Sequence, residues 1–171
     1  MGYSHFWYKP KELDVNRFRL FADDVRKIIS RVTEEEWQGK LQNIVIRGGN
    51  GEGKPEVTDE IISFNGDADN GFDSERFYIS RIEKNHRTST DKLADEDKDG
   101  FYFKSCKTSL EPYDLVVVAS LVAFKYRFGD EVKVKFALSN LEDIREGLLL
   151  AEDVIGLFST HFIESLVKKN D

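Results

Sequence analysis

The chain has 171 residues, of which 40% are hydrophobic, and a formal net charge of −7 at neutral pH. This composition predicts one globular domain with a complete hydrophobic core and excludes wholesale disorder. The single cysteine, Cys106, excludes an internal disulfide and a cysteine-rich zinc site. The excess negative charge lies in residues 50–100, and no clustered Lys and Arg run marks a phosphate-binding surface, so nucleic acid is not an expected partner.

The apolar runs of the sequence bear on where the protein is located. The longest apolar run, residues 115–124, is too short to cross a bilayer. No basic-then-apolar leader opens the chain. We therefore expect a cytoplasmic location and no membrane partner.

The first predicted element is a strand at the very start of the chain. The run Gly2-Tyr3-Ser4-His5-Phe6-Trp7-Tyr8 combines aromatic rings with a histidine, whereas chain termini are usually loose and polar. We expect this strand to bury Phe6 on one face. The other face would carry His5, Trp7 and Tyr3 and would be available for chemistry or ligand contact.

Hydrophobic spacing and turn residues predict the other elements in chain order. A helix from Asp14 to about Arg31 is followed by strands at 41–46, 61–64, 76–80 and 101–106, a helix at 112–128, a strand at 131–137, and helices at 140–155 and 158–167. The polar stretch 82–100 reads as a mobile loop. This order predicts a single α+β domain over residues 1–171, with a central mixed or mainly antiparallel sheet of about five or six strands and helices mainly on one face.

Two kinds of loop resemble ion-binding motifs without completing them. Gly48-Gly49-Asn50-Gly51-Glu52-Gly53-Lys54 has phosphate-loop spacing, but Pro55 stands where Ser or Thr is required, so a flexible hairpin is predicted. Asp95-Glu96-Asp97-Lys98-Asp99-Gly100 begins like a calcium loop, but its twelfth position is Cys106 instead of a bidentate Glu. The loop with Asp67, Asp69 and Asp73 has the same weakness. We predict solvated acidic turns, with no metal and no cofactor.

A candidate site lies where a strand leads into a helix, at Cys106-Lys107-Thr108 and Pro112-Tyr113-Asp114. Backbone N–H groups at a helix start can receive an anion, and Lys107 and Thr108 add a cation and a hydroxyl. Cys106 beside Lys107 is either a nucleophile or a buried packing residue. His5 is the best general acid or base of the three histidines, with Asp114 to orient it, and the alternative is a hydrogen-bonded structural histidine.

The chain also resembles an uncharacterised family of bacteriophage and bacterial proteins through these segments. Family members open Gly-Tyr-Thr-His-Tyr-Trp, carry an Asn-Gly turn in mid-chain, and later show Cys-Lys-Thr followed by Pro-Tyr-Asp. The matching residues are Gly2-Tyr3-Ser4-His5-Phe6-Trp7, Phe64-Asn65-Gly66, Cys106-Lys107-Thr108 and Pro112-Tyr113-Asp114. Ser4 and Phe6 depart mildly from the opening pattern. The resemblance implies a phage-related setting and a site at these residues, and no particular reaction.

These observations leave two functional hypotheses open. In the first, one pocket binds a small anionic ligand such as a nucleotide, with aromatic rings against the base and Lys107 and the helix start on the phosphate. Its residues would be Tyr3, His5, Trp7, Asn65, Lys107, Thr108, Tyr113 and Asp114. In the second, the protein is a non-catalytic phage-encoded module that binds a host factor or counters host defence through acidic residues 50–100. Whether it is an enzyme stays open.

Overall fold

The α+β class is confirmed, but the single large sheet is wrong. A computed structural model describes residues 3–34, 44–84, 100–138 and 140–167. These residues form four helices and two three-stranded antiparallel sheets. The strands are β1 (Ser4–Lys9), β2 (Glu56–Val57), β3 (Ile61–Phe64), β4 (Phe77–Ser80), β5 (Tyr102–Lys107) and β6 (Lys133–Lys135). The helices are α1 (Val15–Glu34), α2 (Asp114–Phe128), α3 (Leu141–Ile155) and α4 (Thr160–Val167).

The first sheet places β1 in the middle, with β5 on one side and β6 on the other. Side chains alternate between the two faces of a strand, and in β1 His5, Trp7 and Lys9 are the buried set. Phe6 is only half-buried, so the predicted face assignment of this strand is inverted. The aromatic-histidine face is packed into the core, and the face expected to be core is the outer one.

The second sheet has the order β2-β3-β4 and buries one apolar face. Ile62 pairs with Ile79 and Phe64 with Phe77, and all four side chains are buried. The two sheets are joined only at isolated points. Glu75 N–H donates to the Lys107 carbonyl over 3.0 Å, and the segments that follow β1 and β4 are linked by a bridge between Glu12 and Ile82. Because neither contact extends into a continuous ladder, the strands form two sheets instead of one.

The helices complete the core between these sheets. The predicted stripe of α1 is confirmed, since Phe18, Phe21, Val25, Ile28 and Val32 are all buried. Helix α2 is buried on most sides, as its continuous apolar run predicted. Helices α2 and α3 approach closely at Gly147, where an added Cβ would lie 2.4 Å from Val118 Cγ1.

Some sequence predictions fall partly or wholly on residues outside the described ranges. Of the predicted strand 41–46, residues 44–46 are irregular and 41–43 lie outside. Of the predicted mobile loop 82–100, residues 85–99 lie outside, and these include the acidic run 95–99. In the described parts of the chain, no helix is both long enough and apolar enough to cross a membrane.

Candidate functional site

A cavity of about 770 Å³ opens beside the start of β1. Its walls come from Tyr3, the turn after β3, the segment between β5 and α2, and the first turns of α3. Apolar side chains cover much of the lining, and they include Ile44, Val45, Phe72, Leu110, Leu115 and Val118. The pocket predicted from the sequence was formed by the N-terminal strand and the segment from Cys106 to Asp114, and both border this cavity. Tyr3, Tyr113 and Asp114 are the predicted site residues that line it.

The polar part of the lining is strongly acidic. Six carboxylic side chains line the cavity, and among the described lining residues there is no Lys or Arg. The six are Asp67, Glu111, Asp114, Glu142, Asp143 and Glu146. Burial, reinforced by the negative charges of Asp114 and Asp143, raises the pKa of Tyr3 to about 12. Asp67 is paired with Arg47, and the other carboxylates make the lining more favourable for cations than for anions.

His5 lies under this cavity and connects three elements. Its ring is fully buried, and its Nε2–H donates to Asp114 Oδ1 over 2.7 Å. Its Nδ1 accepts a 3.0 Å hydrogen bond from the backbone N–H of Ala137, just after β6. Thr108 donates its hydroxyl to the same Asp114 oxygen over 2.6 Å. We call His5, Thr108 and Asp114, together with the Ala137 N–H, the His5 cluster.

The geometry of the His5 cluster favours the structural alternative for this histidine. Both ring nitrogens are engaged with the protein, and the ring is closed off from solvent. A general acid or base needs a nitrogen within hydrogen-bond reach of a substrate, which this arrangement does not provide. Asp114 orients His5 as predicted, and the result is a brace between β1, β6 and α2.

Asp114 still offers one oxygen to the cavity. Both hydrogen bonds of the cluster go to Oδ1, and no described residue donates a hydrogen bond to Oδ2. The side chain is 14% exposed and lines the cavity. A ligand that donates a hydrogen bond could therefore use Oδ2 while the brace stays intact.

Cys106 lies opposite His5 in the β1–β5 pairing. Its thiol is fully buried, and burial raises its pKa to about 12. Because the thiolate is the nucleophile, this burial favours the packing alternative for Cys106. Its Sγ–H points to the Glu75 carbonyl at 3.4 Å, which also accepts a 2.7 Å hydrogen bond from the Tyr113 hydroxyl.

Two further predicted ligand residues are buried away from any ligand. Trp7 is 1% exposed and packs against Phe77 with ring centroids 5.3 Å apart, so it cannot stack on a base. Asn65 is a turn brace instead of a ligand group. Its Nδ2 donates to the carbonyls of Gly49 and Ser74, and its Oδ1 accepts from the N–H groups of Gly66 and Ser74.

Lys107 is exposed and does not line the cavity. It pairs with Ser4 in the β1–β5 register, which places its side chain on the outer face of the sheet, opposite to His5. The start of α2 also carries Asp114 in its first turn, facing the cavity. The predicted phosphate subsite of Lys107 and the helix start is therefore not formed in this structure.

Two of the loop motifs lie in the described parts of the chain, whereas the acidic run 95–99 lies outside them. The glycine-rich turn from Gly48 to Lys54 leads into β2 and not into a helix, so it has no phosphate-loop geometry. Asp67 binds Asn70 and Arg47, and these neighbours hold the pKa of its carboxyl below the usual value. In the described parts of the chain, no three His, Cys, Asp or Glu side chains are grouped as a metal site.

Sequence reasoning missed the wall of the cavity that α3 provides. Glu142, Asp143 and Glu146 precede Gly147, the residue that lets α3 approach α2 closely. Helical spacing puts residues 142, 143 and 146 on one side of α3, and that was the available signal.

No protein-family model, curated protein or solved structure matches this chain.

Proposed function

We propose that the protein binds an organic cation in the cavity beside Tyr3, and that it does so without catalysis. The ligand carries an ammonium or guanidinium group on an apolar body. The observation that carries this proposal is the lining itself, in which six carboxylic side chains stand beside aromatic and aliphatic ones without a described Lys or Arg. A nucleotide or another anion does not suit such a lining.

Each part of the lining has a counterpart in this ligand. Asp114 Oδ2 and the carboxylates of Glu142 and Asp143 provide acceptors for N–H donors. The rings of Tyr3 and Phe72 provide apolar surface and π-faces that attract cations. In the described residues no metal-type cluster competes for this role, so an organic cation is favoured over a metal ion.

The cation could come from a free small molecule or from a Lys or Arg side chain of a partner protein. The mouth of the cavity exposes apolar side chains, with Val45 39%, Phe72 43% and Leu110 64% exposed. Leu110 and its neighbour Ser109 both have positive φ, at 59° and 53°, a strained conformation for residues other than glycine. A strained turn that holds an exposed leucine at the mouth favours a Lys or Arg side chain of a partner protein as the cation. This choice supports a module that binds a host factor. The setting that we propose for it is phage-related and cytoplasmic.

A charge series on one molecular body tests the proposal. We expect phenylbutylamine to raise the melting temperature in a thermal-shift assay, and neither phenylbutyrate nor phenylbutanol to do so at equal concentration. AMP is the matching test of the nucleotide hypothesis. Stabilisation by phenylbutyrate or AMP, without any by the amine, would contradict the cationic ligand.

Variants of the acidic wall locate the binding. The double variant Glu142→Gln/Asp143→Asn removes two exposed charges and should weaken phenylbutylamine about three- to tenfold by calorimetry. Asp23→Asn on α1 is the matched control, because it removes an exposed carboxylate that does not line the cavity. A Lys-containing apolar tripeptide that binds much more tightly than its Glu analogue and than free phenylbutylamine would identify a protein partner as the source.

A further inference from the structure

The outer face of the β5-β1-β6 sheet carries a cluster of aromatic rings. Phe6 and Tyr8 point outward from β1, opposite to the buried His5, Trp7 and Lys9. Phe103 of β5 pairs with Tyr8 in the register. Its ring centroid lies 5.6 Å from that of Phe6 and 5.2 Å from that of Tyr8. The three rings are half-buried, so part of this aromatic surface is open to solvent.

Lysines flank these rings on the same face. Lys135 pairs with Phe6 and Lys133 with Tyr8 on the β6 side. Directly paired residues of antiparallel strands project from the same face, so both ammonium groups accompany the rings. Lys133 Nζ lies 5.1 Å from the ring centroid of Phe101 and 6.0 Å from that of Tyr8. Lys133 and Lys135 are exposed.

The same face has no opposing charge along its strands. β1, β5 and β6 contain no Asp or Glu, and the outward positions besides the rings are Ser4, Ser105 and three lysines. Lys107 is the third lysine, because it pairs with Ser4. This face is therefore locally cationic although the whole chain carries a net charge of −7. We call this surface the aromatic-lysine face; its members are Phe6, Tyr8, Phe103, Lys107, Lys133 and Lys135.

We infer that the aromatic-lysine face binds single-stranded nucleic acid. Exposed rings on a sheet stack unpaired bases, and lysines beside them neutralise the phosphates. The expectation that nucleic acid is not a partner rested on the acidic net charge and on the absence of a clustered Lys and Arg run in the sequence. Lys107, Lys133 and Lys135 are far apart in the chain and share this face only after folding. The face lies on the other side of β1 from His5, so this inference is independent of the proposed cation pocket.

The arrangement suits single strands more than duplexes or another protein. Bases in a duplex are stacked on each other and cannot lie on a flat ring surface, whereas bases of a single strand can. These strands carry no outward carboxylate, and Glu75 of the neighbouring segment binds the backbone N–H of Lys107. The two lysines of β6 therefore supply most of the positive charge that complements a phosphate chain. Three adjacent rings offer stacking surface for two or three bases.

The binding test uses the full chain and a short fluorescein-labelled oligo-dT, followed by fluorescence anisotropy. We expect saturable binding at about 50 mM salt that weakens toward about 200 mM, and weaker binding to a duplex of the same length. The variant Lys133→Ala/Lys135→Ala should reduce the slope of log affinity against log salt by about 1.4, because two phosphate contacts to a single strand are lost. Lys27→Ala, which removes an exposed lysine on α1, should leave the slope unchanged.

An aromatic variant separates base stacking from simple charge attraction. Phe103→Leu keeps an apolar side chain but removes the ring, and we expect the affinity to fall about fivefold or more. Phe6→Leu provides a second variant if Phe103→Leu does not fold, as judged by circular dichroism. Tyr126→Leu on α2 is the control, because it removes an exposed ring from another surface that does not line the cavity.

Three outcomes would overturn the inference. The first is the absence of oligo-dT binding at low salt. The second is equal affinity for duplex and single strand together with unchanged affinity of a folded ring variant. The third is binding to anionic lipid vesicles with no binding to oligo-dT. The thermal-shift result with phenylbutylamine is separate, so either proposal can fail while the other stands.

Discussion

Replacing His5 with Phe tests the role of the His5 cluster. Phe has a similar ring size, so the change removes hydrogen bonds while opening little space at this fully buried position. The Ala137 N–H loses its acceptor, and Asp114 Oδ1 loses the Nε2–H donor but keeps the Thr108 hydroxyl. We expect the variant to fold and to be clearly less stable than the original protein.

The size of the loss follows from these two bonds. An amide N–H left without a partner costs about 1–3 kcal/mol, and a hydrogen bond to a charged acceptor contributes about 1.5–3 kcal/mol. Asp114 is 14% exposed, so water compensates part of its loss. The free energy of unfolding should therefore fall by about 2–5 kcal/mol. For a chain of this length, that corresponds to a melting temperature lower by about 4–20 °C.

Urea unfolding followed by circular dichroism measures this loss. His161→Phe is the matched control, since His161 is exposed on α4 and its replacement should change stability by less than about 0.5 kcal/mol. A double-mutant cycle of His5→Phe with Thr108→Val should show coupling, because both side chains bind the same Asp114 oxygen. If His5→Phe unfolds within about 0.5 kcal/mol of the original protein, the two hydrogen bonds do not stabilise the fold and the brace interpretation is wrong.

Three further predictions concern the thiol, the helix contact and the strained turn. Burial raises the pKa of Cys106 from 9.0 to about 12, so the folded protein retains a proton that the unfolded chain loses above about pH 9. The free energy of unfolding should therefore fall as pH rises from 9 toward 12. Urea unfolding should show a smaller fall for Cys106→Ala. Gly147→Ala places a Cβ 2.4 Å from Val118 Cγ1 and should lower the stability of the fold by about 1–3 kcal/mol in thermal melts, despite the better helix propensity of Ala. Val118→Ala in the same chain should restore part of this loss. If it restores none, the cause is not steric. Leu110 has a positive φ and is 64% exposed, so Leu110→Gly should raise the free energy of unfolding by up to about 1 kcal/mol. A clear fall in the free energy of unfolding, measured with urea, would mean that the leucine side chain contributes packing.

Local patterns were sufficient for most of the secondary structure. The stripe of Phe18, Phe21 and Val25 predicted α1, and the positions of Pro112 and Gly129 predicted α2 to within two residues. These predictions succeed because helix spacing and turn residues act between neighbours in the chain. The pairing of His5 with Asp114 was also predicted, and the structure brings the two side chains within 2.7 Å of each other. Only the structure shows that the ring of His5 is closed off from solvent.

The tertiary structure alone decided which face of β1 is buried and what charge surrounds the cavity. An alternating strand such as His5-Phe6-Trp7-Tyr8 has two chemically similar faces, so only the packing of Trp7 on Phe77 selects the inner one. Total charge likewise says nothing about position. Folding brings Glu142 and Asp143 of α3 to the cavity near Asp114. It leaves Lys107, Lys133 and Lys135 on the opposite face of the sheet. Sequence periodicity is a property of each element by itself, whereas the potential at a site sums charges from elements far apart in the chain. For that reason the sequence determined the elements, and only the fold decided which charged side chains surround the cavity.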